Sequence, residues 1–240
     1  MPKYFLNINS YSCLFRPGFL TCKLLNRHSR VVRRIPLPLT SIDPPSKIIL
    51  LFLIVGVIDF KPTAVVVAGE LKTIEKSTEL FHTPEFRVYG SNDIVGTSVS
   101  GAMKNVIAIA AGIVYGLELG ENARAAILTR GLAETAKLAR GLGGQTETVF
   151  GLAGAGDMAL SSLSMTSRNF SWGFSLAKKQ PFDDKLVEGL NSSKMAIKIA
   201  KKIKIEMPIT ELVSKSDKKN FHLQTEVENM MKRPPKLEWL

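Results

Sequence analysis

The sequence predicts a mainly α-helical protein, in which an all-helical C-terminal domain follows a truncated α/β segment. Two observations lead to this prediction. From Asn92 onward, apolar residues recur at steps of three and four, which places them along one side of a helix. Before that point the chain carries short β-branched runs separated by one helix-like stretch. We therefore divide the 240 residues into 1–47, 48–92 and 93–240.

Residues 1–47 are expected to form a basic, acid-poor and poorly ordered extension. Residues 1–42 hold seven Lys or Arg and no acid, so they account for most of the net charge of +11. This composition resembles an organelle transit sequence, which leaves an organelle as the alternative to a cytoplasmic location. Basic and aromatic residues do not alternate on a defined scaffold here, so we expect no nucleic-acid partner.

The distribution of cysteine and histidine excludes two classes of site. Both cysteines, Cys13 and Cys22, lie in the extension, so the rest of the chain has no internal disulfide and we expect a reducing compartment. The three histidines, His28, His82 and His222, are scattered along the chain. None of them forms an i, i+4 pair, and we expect no metal site.

The α/β segment, 48–92, begins with an apolar run, "IILLFLIVGVI". As a helix this run would cover roughly 16 Å, against about 30 Å for a bilayer core, so we expect a buried strand and no membrane span. Two further strands are predicted at "AVVVAG" and "EFRVYG", with a helix at "ELKTIEKSTELF" between them.

The helical domain, 93–240, begins with a long apolar helix. Its aligned residues are Val99, Met103, Val106, Ile107, Ala110, Ile113, Val114 and Leu117. A second helix, "NARAAILTRGLAETAKLARGL", is predicted to end at Gly141, Gly143 and Gly144. Further helices are predicted at Thr146–Phe150, Ser192–Lys204 and Glu226–Lys232.

One short motif imitates a dinucleotide-binding loop. "GAGDMA", Gly154 to Ala159, matches G-x-G-x-x-A, but that pattern carries meaning only after a strand and with an acid about 20 residues later. Twenty positions after Asp157 stands Ala177, and no β-branched run precedes the glycines. We therefore favour a tight turn between helices.

Lys104 carries the one formal charge between Ile94 and Leu117. The residues one helical turn away are small, which leaves room for another group: Ser100, Gly101, Ala108 and Ala111. A partly desolvated ammonium group there could donate or accept a proton near neutral pH. It could equally extend to solvent from the helix edge. Spacing alone leaves both interpretations open.

Three consecutive polar residues add a second candidate feature. Ser167, Arg168 and Asn169 place a hydroxyl, a guanidinium and an amide at a predicted helix start, and these groups bind phosphate oxygens. A surface arginine with an N-cap serine is the alternative. Asp157, after its glycine turn, could orient Lys104 through an ion pair or could simply cap a helix.

The motifs in order resemble a known enzyme family. They are "KPTAVVVAG", "FRVYGSNDIVG", "GAMKNVIAIAAGIVYGLELGENARAAILTRGLAE", "GLAGAGDM", "SRN", "VEG" and "IEMPITE". From about Lys61 to Leu212 the chain resembles the bacterial-type NAD(P)-dependent glycerol-3-phosphate dehydrogenases. Near the end, "VENMMKRPPKLEW" resembles the closing helix of that family.

The resemblance implies hydride transfer between a nicotinamide and the C2 carbon joining dihydroxyacetone phosphate and sn-glycerol 3-phosphate, a step in carbohydrate and phospholipid-precursor metabolism. It implies NAD or NADP as cofactor, a phosphorylated triose as substrate and a possible homodimer. The implied fold is an N-terminal Rossmann domain and a C-terminal helical domain, with the site in the cleft between them.

The resemblance also assigns residues. Lys104 stands at the position of the catalytic lysine, which polarises the C2 oxygen and exchanges its proton. The implied substrate-binding residues are Lys104, Asp157, Ser167, Arg168 and Asn169. The implied cofactor contacts are Arg168, Leu186 and Glu188, and Ser161 matches a hydroxyl four residues after the aspartate.

Three family features have no counterpart in this chain: the G-x-G-x-x-[GA] loop, a second lysine in the Rossmann half, and a "SGPSFA"-like segment before Pro62. Residues 1–60 match nothing in the family, and Ser214–Asn220 stands where more helix is expected. Two hypotheses follow. One is an active dehydrogenase whose dinucleotide-binding half comes from another polypeptide, and the other is a truncated, non-catalytic remnant.

Overall fold

We describe a computed structural model of the chain. It gives residues 63–182, 187–218, 220–232 and 234, together with the backbone of four N-terminal strands at 5–8, 11–16, 19–24 and 49–51. The chain divides into two compact units, Met1–Ser46 and Lys47–Leu240.

The first unit contains a three-stranded antiparallel sheet. Its strands are β1 (Phe5–Ile8), β2 (Tyr11–Arg16) and β3 (Phe19–Leu24), in the order β1-β2-β3. These strands differ from the poorly ordered extension expected for 1–47. That expectation rests on the basic, acid-poor composition, and it gives too little weight to the aromatic residues here, which favour strands.

The second unit begins with a small α/β segment of β4 (Ile49–Leu51), β5 (Thr63–Ala68), α1 (Leu71–Phe81) and β6 (Phe86–Ser91). The sheet order is β4-β5-β6, with β4 antiparallel and β6 parallel to β5. Alternate valines of β5 and β6 are buried against Ile74 and Phe81 of α1. The predicted strand, helix and strand at "AVVVAG", "ELKTIEKSTELF" and "EFRVYG" are confirmed. Most of the run predicted as a first strand, from residue 52 onward, lies outside the described residues.

The rest of the described chain is helical, which confirms the mainly α-helical class. The helices are α2 (Ile94–Gly116), α3 (Glu121–Gly141), α4 (Thr146–Phe150), α5 (Asp157–Ser162), α6 (Arg168–Ala177), α7 (Glu188–Lys202), α8 (Pro208–Lys215) and α9 (Leu223–Met231). A π-helical segment, Leu152–Gly156, links α4 to α5. The predicted helices are all present, and α8 ends inside the segment where more helix was expected.

Helix α2 forms the centre of the domain. It is long and apolar enough to cross a membrane by length and composition, but most of it is buried inside the fold. Its start is fixed by Asp93, whose carboxylate oxygens accept hydrogen bonds from the Gly96 and Gln145 amides, both at 2.8 Å. Burial alone would raise the pKa of Asp93, but these hydrogen bonds outweigh it and hold the pKa below its usual value. The helix start is thereby tied to the loop after α3.

Helices α2 and α6 pack with their backbones in direct contact. A Cβ on Gly112 would overlap the Phe170 carbonyl oxygen, and a Cβ on Gly173 would overlap the Ile109 carbonyl oxygen. Two glycines facing each other across the crossing therefore set the distance between the helices. This crossing matters for the site because α2 carries Lys104 and α6 begins at Arg168.

The start of α8 is capped from another helix. Glu134 of α3 is buried, and its carboxylate accepts hydrogen bonds from the Ile209 amide at 2.7 Å and the Thr210 amide at 3.1 Å. The Thr210 hydroxyl donates a third hydrogen bond at 2.7 Å. A negative charge suits a helix N-terminus, yet burial dominates and raises the pKa of Glu134 to about 7.

We predict that Glu134→Gln flattens the pH dependence of stability between about pH 4.5 and 7. The folded pKa, about 7, lies above the ordinary value of 4.5, so the folded state keeps a proton that the unfolded state releases. This contribution is complete below pH 4.5 and is lost as the pH rises towards 7, which amounts to on the order of 3 kcal/mol. Urea unfolding across this range measures it. The exposed Glu147→Gln is the control, and identical pH profiles for wild type and Glu134→Gln would contradict the prediction.

Candidate functional site

The site is centred on an ion pair between α2 and α5. Lys104 Nζ lies 2.6 Å from Asp157 Oδ2, and the side chains are 19% and 4% exposed. The lysine therefore neither lies free in solvent nor is fully enclosed. One side of its ammonium group contacts a buried carboxylate, and a small part remains accessible to a ligand. This geometry favours the desolvated, paired alternative over the solvent-extended one.

The π-helical segment places Asp157 opposite Lys104. It follows α4 and not a strand, and Gly154 within it packs so closely that a Cβ would overlap the Val149 carbonyl oxygen. Wide π-helical turns occur often at functional sites, and here the turn ends where α5 begins, at Asp157. Burial raises the pKa of Asp157 above its usual value, although the nearby Lys104 opposes the shift.

The three polar residues at 167–169 lie where α6 begins, as predicted. Ser167 is the N-cap, and its hydroxyl accepts a hydrogen bond of 3.4 Å from the Phe170 amide. Arg168 is exposed at the first helical position, while Asn169 is buried. No carboxylate in the described part of the chain forms an ion pair with Arg168. A cation beside free amides at a helix start suits an anionic oxygen ligand such as phosphate.

A chain of hydrogen bonds connects this helix start to α2 and α7. Asn169 Oδ1 accepts from the Gly189 amide at 3.0 Å, and Asn169 Nδ2 donates to Asn105 Oδ1 at 3.1 Å. Asn105 Nδ2 in turn donates to Glu188 Oε2 at 3.2 Å. Because Asn105 follows Lys104 directly on α2, the network links three helices around the lysine.

Asn105 is the site residue that the sequence analysis missed. The available signal was the Lys-Asn pair, two adjacent polar residues within an otherwise apolar and small-residue helix. A buried amide in such a helix needs partners, so its presence indicates that polar groups of other helices reach this point of α2.

The remaining predicted site residues differ in their position and contacts. Glu188 begins α7 and joins the network through Asn105. Ser161 lies in α5 and is partly buried. Leu186 lies outside the described residues. Neither Ser167 nor Arg168 makes a hydrogen bond or ion pair with Lys104 or Asp157, so their assignment as substrate-binding residues stays a prediction.

We predict that Asn105→Ala destabilises the domain by about 2 kcal/mol, because it leaves the buried Asn169 amide and the Glu188 carboxylate without a shared partner. Urea unfolding measures the loss. Asn191→Ala removes an exposed asparagine of α7 and should have no measurable effect. Equal losses in the two variants would show that the network adds nothing to stability.

The chain matches a known protein family. The family model described as the C-terminus of NAD-dependent glycerol-3-phosphate dehydrogenase matches residues 93–228. The chain belongs to this dehydrogenase family.

Members of the dehydrogenase family resemble the chain over most of its length. It is 41% identical over 187 residues to glycerol-3-phosphate dehydrogenase [NAD(P)+] of Chlorobium phaeobacteroides, covering 75% of this chain and 56% of that protein. It is 41% identical over 185 residues to the protein of the same name from Rhodospirillum rubrum, covering 74% and 53%. The chain therefore spans about half the length of these curated relatives.

A solved structure confirms the likeness in three dimensions. The crystal structure of glycerol-3-phosphate dehydrogenase from Coxiella burnetii superposes with a TM-score of 0.67 at 37% sequence identity. The match covers 72% of this chain and 56% of that one. The helical domain and the short α/β segment before it are thus part of the family fold.

Proposed function

We propose that this chain is the substrate-binding half of an NAD(P)-dependent glycerol-3-phosphate dehydrogenase, and that it binds sn-glycerol 3-phosphate and dihydroxyacetone phosphate. The observation that carries the proposal is the 2.6 Å pair of Lys104 with the buried Asp157, the two residues to which the resemblance assigns the roles of catalytic lysine and neighbouring aspartate. Membership of the family, with relatives named for this reaction, supports it.

In the proposed site the chain's own residues do three things. The exposed Arg168 and the start of α6 hold the substrate phosphate. Asp157 holds the Lys104 ammonium group in place, while the asparagine pair fixes the neighbouring turns of α2 and α6. Lys104 then hydrogen-bonds the C2 oxygen, donates a proton to it when dihydroxyacetone phosphate is reduced and recovers a proton in the reverse direction.

The described residues fit a nicotinamide cofactor only in part. The resemblance assigns cofactor contacts to Glu188 and Arg168. The one glycine motif that imitates a pyrophosphate cradle, however, follows a helix, and the space above Gly154 is filled by the Val149 carbonyl. We therefore propose that NAD or NADP is held mainly by a separate dinucleotide-binding half.

A second candidate function is a non-catalytic remnant that binds the phosphorylated triose without turning it over. The closed geometry at Gly154 favours it, because the described residues offer no open cradle for a dinucleotide. Both candidates share the substrate site. They differ in whether the chain completes the reaction.

Calorimetric titration of dihydroxyacetone phosphate and sn-glycerol 3-phosphate into the purified chain tests the shared site. We expect saturable binding that Lys104→Ala weakens by about tenfold or more, roughly the loss of one charge-assisted contact. Lys178→Ala, which removes a lysine paired with Glu118 at the far end of α6, is the matched control. Absence of binding by the wild type would overturn the proposed substrate site.

NADH oxidation with dihydroxyacetone phosphate separates the two candidates. Turnover that Lys104→Ala abolishes would exclude the remnant. A chain that binds the triose phosphate but neither binds nor oxidises NADH would exclude catalysis without a second polypeptide. The homodimer implied by the family stays a prediction, which sedimentation of the purified chain checks.

A further inference from the structure

Three buried hydroxyl groups on the two helices that carry the ion pair lack a hydrogen-bond partner among the described residues. They belong to Thr97 and Ser100 of α2 and to Ser162 of α5, and these residues are 0%, 0% and 2% exposed. A buried hydroxyl without a partner is costly, and in native proteins such groups are commonly bound to internal water.

Two of these hydroxyls do not make the hydrogen bond that is usual for a serine or threonine inside a helix. A serine or threonine inside a helix commonly donates to the carbonyl oxygen one turn earlier. Ser98 of α2 does so to Ile94 at 2.7 Å, and the fully buried Thr135 of α3 does so to Gly131 at 2.8 Å. Thr97 and Ser100, on the same helix as Ser98, make no such bond.

Their positions place them in line with the catalytic lysine. Thr97, Ser100 and Lys104 follow i, i+3, i+7 spacing and share one face of α2. The rise between Thr97 and Ser100 is about 4.5 Å, a separation that one water can bridge with two ordinary hydrogen bonds. Helix α5, which begins with Asp157 and contains Ser162, packs on α2.

We propose that internal water occupies this face of α2 and binds the Thr97 and Ser100 hydroxyls, forming a polar channel that reaches the Lys104–Asp157 pair from inside the domain. Each hydroxyl can both donate and accept, so two of them and a carboxylate provide the partners that a buried water needs.

The channel has a role if the proposed function holds, on which this step rests. Bound substrate would cover the exposed side of Lys104 after the lysine has given its proton to the C2 oxygen. A proton taken up from solvent can then pass through the internal water to the amine on its Asp157 side, which leaves the water unchanged, and the water exchanges with solvent when the domain opens locally.

A crystal structure at about 1.5 Å resolution tests the water site directly. We expect density within 3.2 Å of both Thr97 Oγ1 and Ser100 Oγ, and loss of that density in the Thr97→Val/Ser100→Ala double variant. Empty space at both hydroxyls in the wild type would overturn the proposal.

Thermal unfolding gives a second test that needs no crystals. If the hydroxyls are truly unpartnered, Thr97→Val and Ser100→Ala remove a cost, and Tm should rise by roughly 4 °C or more. If water binds them, Tm should stay unchanged or fall, as it should for Thr135→Val, which removes a partnered hydroxyl of equal burial. A rise in the Tm of both Thr97→Val and Ser100→Ala contradicts the proposal.

The two proposals can fail separately. Ordered water at Thr97 and Ser100 in a chain that binds no triose phosphate would sustain the water site and overturn the function. If the chain is catalytically active when the dinucleotide-binding half is supplied, Ser100→Ala should lower the rate of reduction severalfold without changing the affinity for dihydroxyacetone phosphate. An unchanged rate would overturn the role in proton return.

Discussion

Gly173→Ala is expected to lower the free energy of unfolding by about 3 kcal/mol or more, in the upper range for overpacking. In an exposed helix the same substitution is favourable by up to about 1 kcal/mol. Here the new Cβ would overlap the Ile109 carbonyl oxygen and would lie 3.0 Å from the Ile113 amide nitrogen. Because both are backbone atoms of α2, no side-chain rotation relieves the overlap, and the two helices must separate. Urea unfolding followed by circular dichroism measures the loss.

Gly156→Ala is the matched control for this effect. It adds the same methyl group to a residue with helical backbone angles, φ −62° and ψ −51°, where the nearest atom, Leu152 Cδ2, would lie 3.6 Å away. We expect no loss of stability there. A Gly173→Ala variant as stable as Gly156→Ala would show that the α2–α6 crossing is not held by backbone contact.

The crossing also affects the site, since α2 carries Lys104 and Asn105 while α6 carries Asn169. Movement of α6 away from α2 lengthens the 3.1 Å hydrogen bond between the two asparagines. We therefore expect binding of the triose phosphate to weaken in Gly173→Ala under conditions where the variant is still folded. In the proposed site, packing at the helix crossing thus positions the turns of α2 and α6 that carry the ligand-binding groups.

Periodicity predicted the helices because it reports which face of a segment is buried. The spacing from Val99 to Leu117 predicted α2, and the glycines after Arg140 predicted the end of α3. The three-residue motif at 167–169 predicted the start of α6, since an N-cap serine followed by polar residues is a local feature.

Contacts between helices were not predictable in the same way. Asn105 lies on α2 beside residues that are buried only because α6 and α7 pack there, and no local pattern names its partners. In the sequence, Gly112 and Gly173 look like ordinary glycines that weaken a helix. Their role comes from the crossing of α2 and α6, which brings together two residues 61 positions apart in the chain. The three-stranded sheet at 5–24 was missed because the basic, acid-poor composition was weighted above strand propensity.

Lys104→Ala is expected to destabilise the domain by on the order of 3 kcal/mol at pH 7, because it leaves a carboxylate that is 4% exposed without its cation. The loss should be smaller at pH 5. Burial already raises the pKa of Asp157, and removing Lys104 raises it further, since Lys104 is the group that opposes the shift. The folded variant therefore binds a proton that the unfolded chain releases, so its stability falls as the pH rises through the folded pKa.

Urea unfolding of the wild type, Lys104→Ala, Asp157→Asn and the Lys104→Ala/Asp157→Asn double variant at pH 5 and pH 7 forms a double-mutant cycle. Asp157→Asn in the Lys104→Ala background should recover part of the lost stability at pH 7 and little at pH 5, because it removes a carboxylate that is ionised mainly at the higher pH. Lys178→Ala, whose partner Glu118 is fully exposed, should show no such pH dependence. If Lys104→Ala loses the same stability at both pH values, the carboxylate of Asp157 is not held in its charged form by Lys104. The pair would then contribute to packing alone, and the electrostatic basis of the proposed site would fall with it.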